Sequence, residues 1–251
     1  MTIPDPFRLD GRRALVTGAS RGIGRAIAEA YAQAGARLAL AARASANLEQ
    51  VASNVREHGA DVHTFGADLT DAQAPTRLVE QAAEALGGLD IVVNNAGDGG
   101  HDGLTLDAYR RLLHANLRAP VLIIQAARPF LLGSEAPVVI NVSSVSARLG
   151  GAEPYGPLKA ALSSYTVGLA REWGNDGIRV VAIAPGVIET DMTAGYTDAD
   201  WWTGNLAERV ALGRNGQVDE IAGVAQFLAS DAAAYITGAV IPVDGGWVHQ
   251  F

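Results

Sequence analysis

Arg13-Ala14-Leu15-Val16-Thr17-Gly18-Ala19-Ser20-Arg21-Gly22-Ile23-Gly24 is the stretch that decides the fold. Its first five residues are an apolar, β-rich run. Glycines follow at 18, 22 and 24, and an Ala-rich segment with helical spacing occupies about 23–34. A buried strand that passes through a tight glycine turn into a helix opens a βαβ unit. The turn leaves unpaired N–H groups at the positive end of a helix, where bare backbone lets a pyrophosphate approach. Gly35 stands just past the helix end, where a left-handed residue is favoured.

The alternation continues outward from this unit. Strands are expected at 37–42, 61–66, 90–94, 138–142, 179–184 and 239–243. Helices are expected at about 47–57, 72–86, 106–131 as one long element, 155–173 and 219–229. Strands that are apolar on both faces and alternate with helices predict a parallel sheet covered on both sides. With right-handed crossovers this is an α/β, doubly wound Rossmann sheet of seven parallel strands with helices on both faces. We expect a single domain over 1–251, with 189–212 breaking the alternation as a lid over the substrate.

The 251 residues, 49% hydrophobic and 18% charged, suit one large domain with its own core. The absence of cysteine excludes disulfides, thiolate nucleophiles and sulfur-ligated metals. A net charge of −8 argues against a nucleic-acid partner. No apolar run approaches the roughly 18–20 residues of a membrane span. Met1-Thr2-Ile3-Pro4-Asp5-Pro6 shows no basic-then-apolar signal pattern. A cytoplasmic protein without membrane or nucleic-acid partners is therefore expected. The five histidines have no zinc-site spacing, so no metal is expected, and no G-x-S-x-G elbow supports a hydrolase.

Of the 19 basic residues, 18 are arginine and one is Lys159. That lysine follows Tyr155 by four positions in a helical stretch, so the two side chains share one face. A phenol with a pKa near 10 exchanges protons poorly at neutral pH, and an adjacent ammonium favours its phenolate. A wide, planar guanidinium would not substitute well. The pair is expected to move a proton, with Lys159 lowering the phenol's pKa.

Several further motifs lie in order along the chain. They are Asp68, Asn94-Asn95-Ala96-Gly97, Asn116, Asn141-Val142-Ser143-Ser144, Tyr155-Gly156-Pro157-Leu158-Lys159, Pro185-Gly186 with Thr190, and Gly238 with Asp244-Gly245-Gly246. Together with Thr17-Gly18-x-x-x-Gly22-x-Gly24, this order and spacing resemble the classical branch of the short-chain dehydrogenase/reductase family over nearly the whole chain. The resemblance implies hydride transfer between a nicotinamide and a small carbonyl or alcohol substrate. Asn116, Ser144, Tyr155 and Lys159 would be its catalytic set. It makes Ser144, the second of its pair, the donor to the substrate oxygen; on the residues alone, Ser143 and Ser146 are rivals. Ser144 precedes Tyr155 by eleven residues, two fewer than is common in the family, so the connecting loop should be shortened. Asn116 would hold a water between the lysine and solvent, or cap a kink. Pro157 departs from the small residues common there and should lie in the first helical turn.

By the same resemblance the cofactor site comprises Gly18, Ser20, Arg21, Gly22, Ile23, Gly24, Asp68, Leu69, Asn95, Ala96, Gly97, Tyr155 and Lys159. Pro185, Gly186, Ile188 and Thr190 would grip the carboxamide. Asp68 would accept from the adenine amino group, or cap a turn. An NAD site usually places an acidic residue about 20 positions after the glycines. Here Leu40 to Ser45 contains no carboxylate, whereas Arg43 and Arg21 could flank a 2′-phosphate, at roughly 1.5–3 kcal/mol per charge-assisted contact. NADP(H) is expected in preference to NAD(H), since without the phosphate two arginines would face each other.

The resemblance also implies a homotetramer, with the last helix and strand, up to Trp247, in an interface. Asp98, His101, Ser146, Arg148, Glu153 and 192–202, with Tyr196, Trp201 and Trp202, are expected around the pocket mouth. A reductase of ketoacyl groups on carrier proteins, a non-catalytic NADP(H) sensor, and an isomerase or lyase are the rival readings. The acidic chain, and Asp176 where carrier-protein reductases have a basic residue, favour a small free substrate.

Overall fold

Along β1 (Arg13–Thr17) successive side chains point to opposite faces, and both faces are buried. Ala14 and Val16 join one apolar cluster and Leu15 the other. β4 (Ile91–Asn94) divides the same way, Ile91 and Val93 on the first side and Val92 on the second. A period of two with both sides buried needs helices above and below the sheet. The computed structural model describes residues 5–43, 45–100, 105–149, 153–194 and 209–247. Its first face is covered by α1 (Gly22–Gln33), α2 (Ala46–Glu57) and α8 (Val218–Ala229). The second is covered by α3 (Ala74–Leu86), α5 (Ala119–Leu131) and α7 (Tyr155–Trp173).

The remaining strands are β2 (Arg37–Ala42), β3 (Val62–Gly66), β5 (Val138–Val142), β6 (Arg179–Pro185) and β7 (Val240–Val243). All seven pair in parallel, in the order β3-β2-β1-β4-β5-β6-β7. The single-domain, doubly wound Rossmann sheet expected from the sequence is the one the chain forms. After β3 the chain returns to the other side of β1, so the connections leaving β1 and β4 diverge. Such a switch point opens a crevice at the carboxyl ends of the strands.

Two elements differ from expectation. The segment 106–131 is not one helix: α4 (Leu106–Leu113) and α5 are joined by a π-helical segment, His114–Arg118. The buried Asn116 causes the break, because its Nδ2 donates at 3.1 Å to the Leu112 carbonyl four residues back. An α-helix would give that acceptor to the backbone N–H of Asn116. Pro120, four residues on, has no N–H to return to the Asn116 carbonyl. A short α6 (Ser146–Leu149) also occupies part of the reduced loop before Tyr155.

Candidate active site

Gly18 and Gly24 of the turn answer to close approaches. Gly18 has φ +67°, and a Cβ there would lie 2.8 Å from Asn95 Nδ2 and 2.9 Å from the Ala96 Cα. Gly24 packs directly on the Gly18 carbonyl and on Asn95, and Gly22 has φ +55°. The turn is thus locked to the loop after β4. Asn95 Nδ2 donates to the carbonyls of Thr17 and Gly18 at 2.9 and 3.2 Å. Thr17 Oγ1 donates to the Val93 carbonyl and accepts from the backbone N–H groups of Asn95 and Ala96 at 3.0 and 3.1 Å. Asn95 and Ala96, expected as cofactor contacts, brace the turn.

The helix beyond this turn fits a dinucleotide diphosphate. No side chain caps the N-terminus of α1, and its first turn carries no acidic residue. These are the conditions under which backbone N–H groups receive an anion. Each of the two arginines has an acidic neighbour. Arg21 pairs with Asp191 at 3.2 Å, and Arg43 acts on Asp68. Asp68 caps a turn, its Oδ1 accepting from Thr70 N and Oγ1 at 3.0 and 2.8 Å. These bonds, and then Arg43, hold its carboxyl below the usual range. Leu69 packs against the second core cluster.

The next segment closes the crevice from β6. Pro185 accepts from Val145 N at 3.0 Å, and Gly186 is so close to Asp244 that a Cβ would meet its Cα at 2.8 Å. Ile188 is buried and bridges in parallel to Gly216. Thr190 N donates to Thr193 Oγ1 at 3.1 Å, while Thr193 Oγ1 donates to the Ile188 carbonyl.

Tyr155 and Lys159 stand on one face at the start of α7. Pro154 precedes the helix, and the backbone bond from Leu158 N to the Pro154 carbonyl begins one residue after Pro157. Proline therefore removes no donor that the helix needs. Lys159 is 4% exposed, its Nζ 5.7 Å from the Tyr155 ring centroid and donating to the Val142 carbonyl at 2.8 Å. Burial pulls its pKa from 10.5 down to about 8. Burial likewise holds the Tyr155 phenol above its ordinary value, with the Ser144 hydroxyl pulling the other way. The expected lowering by Lys159 is thus not the net direction here, because desolvation of the phenolate dominates.

The serines separate by environment. Ser143 is committed to the interior, where its Oγ donates to the Lys159 carbonyl at 3.1 Å and lies 2.7 Å from Ser163 Oγ. Ser144 Oγ accepts from Ser146 N at 3.1 Å and adjoins Tyr155. Ser146 lies in α6, in the segment before the tyrosine. Asn116 reaches the same centre from the π segment. Its Nδ2 donates to the Asp98 carbonyl at 2.9 Å, and its Oδ1 accepts from Asp98 N at 3.3 Å. A Cβ on Gly97 would stand 2.8 Å from Asn116 Oδ1 and 3.5 Å from Lys159 Nζ. Asn116 therefore caps the kink and holds Gly97 and Asp98 against the lysine.

The arrangement brings a phenol, a hydroxyl and a buried ammonium together at the carboxyl end of β5. A family model described as enoyl-(acyl carrier protein) reductase matches residues 18–248. The chain belongs to the short-chain dehydrogenase/reductase family. It is 35% identical to gluconate 5-dehydrogenase of Gluconobacter oxydans, with 98% of each chain covered. It is 38% identical to the 3-oxoacyl-[acyl-carrier-protein] reductase FabG of Pseudomonas aeruginosa, over 95% of this chain and 98% of that one. It also superimposes on a short chain dehydrogenase from Burkholderia cenocepacia J2315 in complex with NADP. The TM-score is 0.88 at 37% identity, with 96% of this chain and 99% of that chain covered. As a member of the short-chain dehydrogenase/reductase family, the protein is an oxidoreductase that works with a nicotinamide cofactor.

Several expected residues fall outside the described ones: His101, Tyr196, Trp201, Trp202 and most of the segment 189–212 expected as a lid. Cavities of about 100 and 120 Å³ lie beside Ile188 and Asp244 and beside Asp68 and Arg77. Among the described residues no three His, Cys, Asp or Glu side chains gather as a metal site, and no helix is long and apolar enough to cross a membrane. Sequence reasoning missed Thr17 as the brace of the turn. Its position at a strand end before the first glycine, with both faces of that strand buried, was the available signal.

Proposed function

We propose that the protein interconverts a small, free ketone and a secondary alcohol with NADP(H), using Tyr155 as the general acid/base. One observation carries this reading: the Tyr155 phenol stands beside the Ser144 hydroxyl, with the buried Lys159 ammonium 5.7 Å from its ring. The nicotinamide, when bound, supplies or accepts the hydride. In reduction, Ser144 donates a hydrogen bond to the substrate oxygen and Tyr155 delivers the proton to it. The raised phenol pKa keeps that proton in place until charge develops on the substrate oxygen. As the proton leaves, the Lys159 ammonium opposes the charge appearing on the tyrosine. Asn116 positions Gly97 beside that ammonium.

Arg21 and Arg43 support NADP(H), since each is exposed at the edge of the crevice and can exchange a carboxylate partner for a 2′-phosphate. The NADP complex of the Burkholderia relative supports the same choice. Gluconate 5-dehydrogenase, by its name, acts on a free hydroxylated molecule, which supports a free substrate here. FabG supports the alternative of a ketoacyl group on a carrier protein. Against it stand the net charge of −8 and Asp176, which is paired with Arg128 at 2.6 Å. We also infer a homotetramer, supported by a β7 edge strand that is only partly buried.

Absorbance at 340 nm with NADPH and NADH, against free ketones, polyols and a ketoacyl carrier protein, tests the reading. Turnover of free ketones with NADPH is expected. Tyr155→Phe should keep nucleotide affinity and reduce turnover by at least about a hundredfold. A variant that retains most of its rate refutes the proton-transfer role.

A further inference from the structure

Arg21 and Asp191 meet across the opening of the dinucleotide crevice. Arg21 Nη1 lies 3.2 Å from Asp191 Oδ2, with the side chains 62% and 72% exposed. Arg21 belongs to the glycine turn, and Asp191 to the segment that follows β6. The same two segments touch a second time, because Thr190 Cγ2 lies 3.4 Å from where a Cβ on Gly22 would stand. Asp191 is also well anchored. It lies between Thr190 and Thr193, whose Oγ1 atoms are 3.2 Å apart, and Thr193 is tied back to the Ile188 carbonyl.

We propose that Asp191 is a specificity-determining residue for the cofactor: it holds Arg21 in the free protein and competes for it with the 2′-phosphate. The proposal rests on the reading of Arg21 as a phosphate contact. An exposed guanidinium–carboxylate pair is weak and screened by salt, whereas a phosphate offers the guanidinium a doubly charged, bidentate partner. The phosphate therefore wins the exchange, and Asp191 reduces the affinity gained. A dinucleotide without the 2′-phosphate leaves the pair intact and gains or loses nothing from it. Asp191 thus acts against NADP(H) alone.

The test is equilibrium binding of NADPH and NADH, followed by nicotinamide fluorescence at low salt, for the natural protein, Asp191→Asn, Arg21→Ala and the double variant. Asp191→Asn should tighten NADPH about two- to fivefold and leave NADH unchanged. Arg21→Ala should weaken NADPH about tenfold, and adding Asp191→Asn to it should then do nothing. Equal effects of Asp191→Asn on both nucleotides, or no effect, overturn the proposal. So does the same tightening of NADPH in the Arg21→Ala background, which would reveal a general field rather than a competition. If Arg21→Ala leaves NADPH binding unaltered, the phosphate reading of Arg21 itself falls, and the proposal with it.

Discussion

Replacing Lys159 by methionine exchanges a buried ammonium for an apolar side chain of similar length. The folded protein holds the lysine proton only up to about pH 8, whereas the unfolded chain holds it to about 10.5. Between those values the unfolded state binds more protons, so the natural protein gains stability as pH rises. From pH 7 to pH 10 that gain is about 2–3 kcal/mol, and the Lys159→Met variant has no equivalent titration. The variant loses the bond to the Val142 carbonyl, about 1–2 kcal/mol, at both pH values. Its net advantage at pH 7 should therefore be about 1–2 kcal/mol, and by pH 10 it should have disappeared or reversed. Urea unfolding without nucleotide, read by tryptophan fluorescence at one protomer concentration, measures the difference. In thermal scans each kcal/mol should appear as roughly 2–4 °C. A difference between the two proteins that is the same at pH 7 and pH 10 would refute the argument, because the ammonium would then not be desolvated.

Three further outcomes are expected. In the reductive direction kcat/KM should fall as pH rises through about 8, where Lys159 loses its charge; a profile flat to pH 9.5 would remove the lysine from the proton step. Thr17→Val strands the N–H groups of Asn95 and Ala96 and should cost about 2–4 kcal/mol in urea unfolding, with weaker nucleotide binding. Gly18→Ala forces a side chain into φ +67° and onto Asn95. It should weaken NADPH at least about tenfold in fluorescence titration.

What the sequence displayed plainly was whatever depends on short periods. The strand β1, buried on both faces, and the glycines after it identified a doubly wound sheet, and β2, β5 and α7 fell at their expected bounds. The break within 106–131 was hidden because its cause is one side-chain bond, from Asn116 back to Leu112, inside an apolar run that reads as continuous helix. Pro120 was the local clue, since it cannot donate to the carbonyl four residues before it. The phenol's direction was hidden for another reason: a four-residue spacing places Lys159 near Tyr155, but says nothing of how deeply both are buried. The ion pairs Arg21–Asp191 and Arg128–Asp176 join residues 170 and 48 apart, and no local pattern announces such contacts.

A chain with one ε-amine, and that one enclosed, has an unusual surface chemistry. Amine-coupling resins and lysine cross-linkers find no ε-amine on the outside of the folded protein. Any ε-acylation that does occur marks a molecule whose centre has opened, so the extent of labelling over time counts opening events. Nucleotide seated over the crevice should slow that clock, and the residue that serves the proposed reaction becomes the molecule's own reporter of breathing.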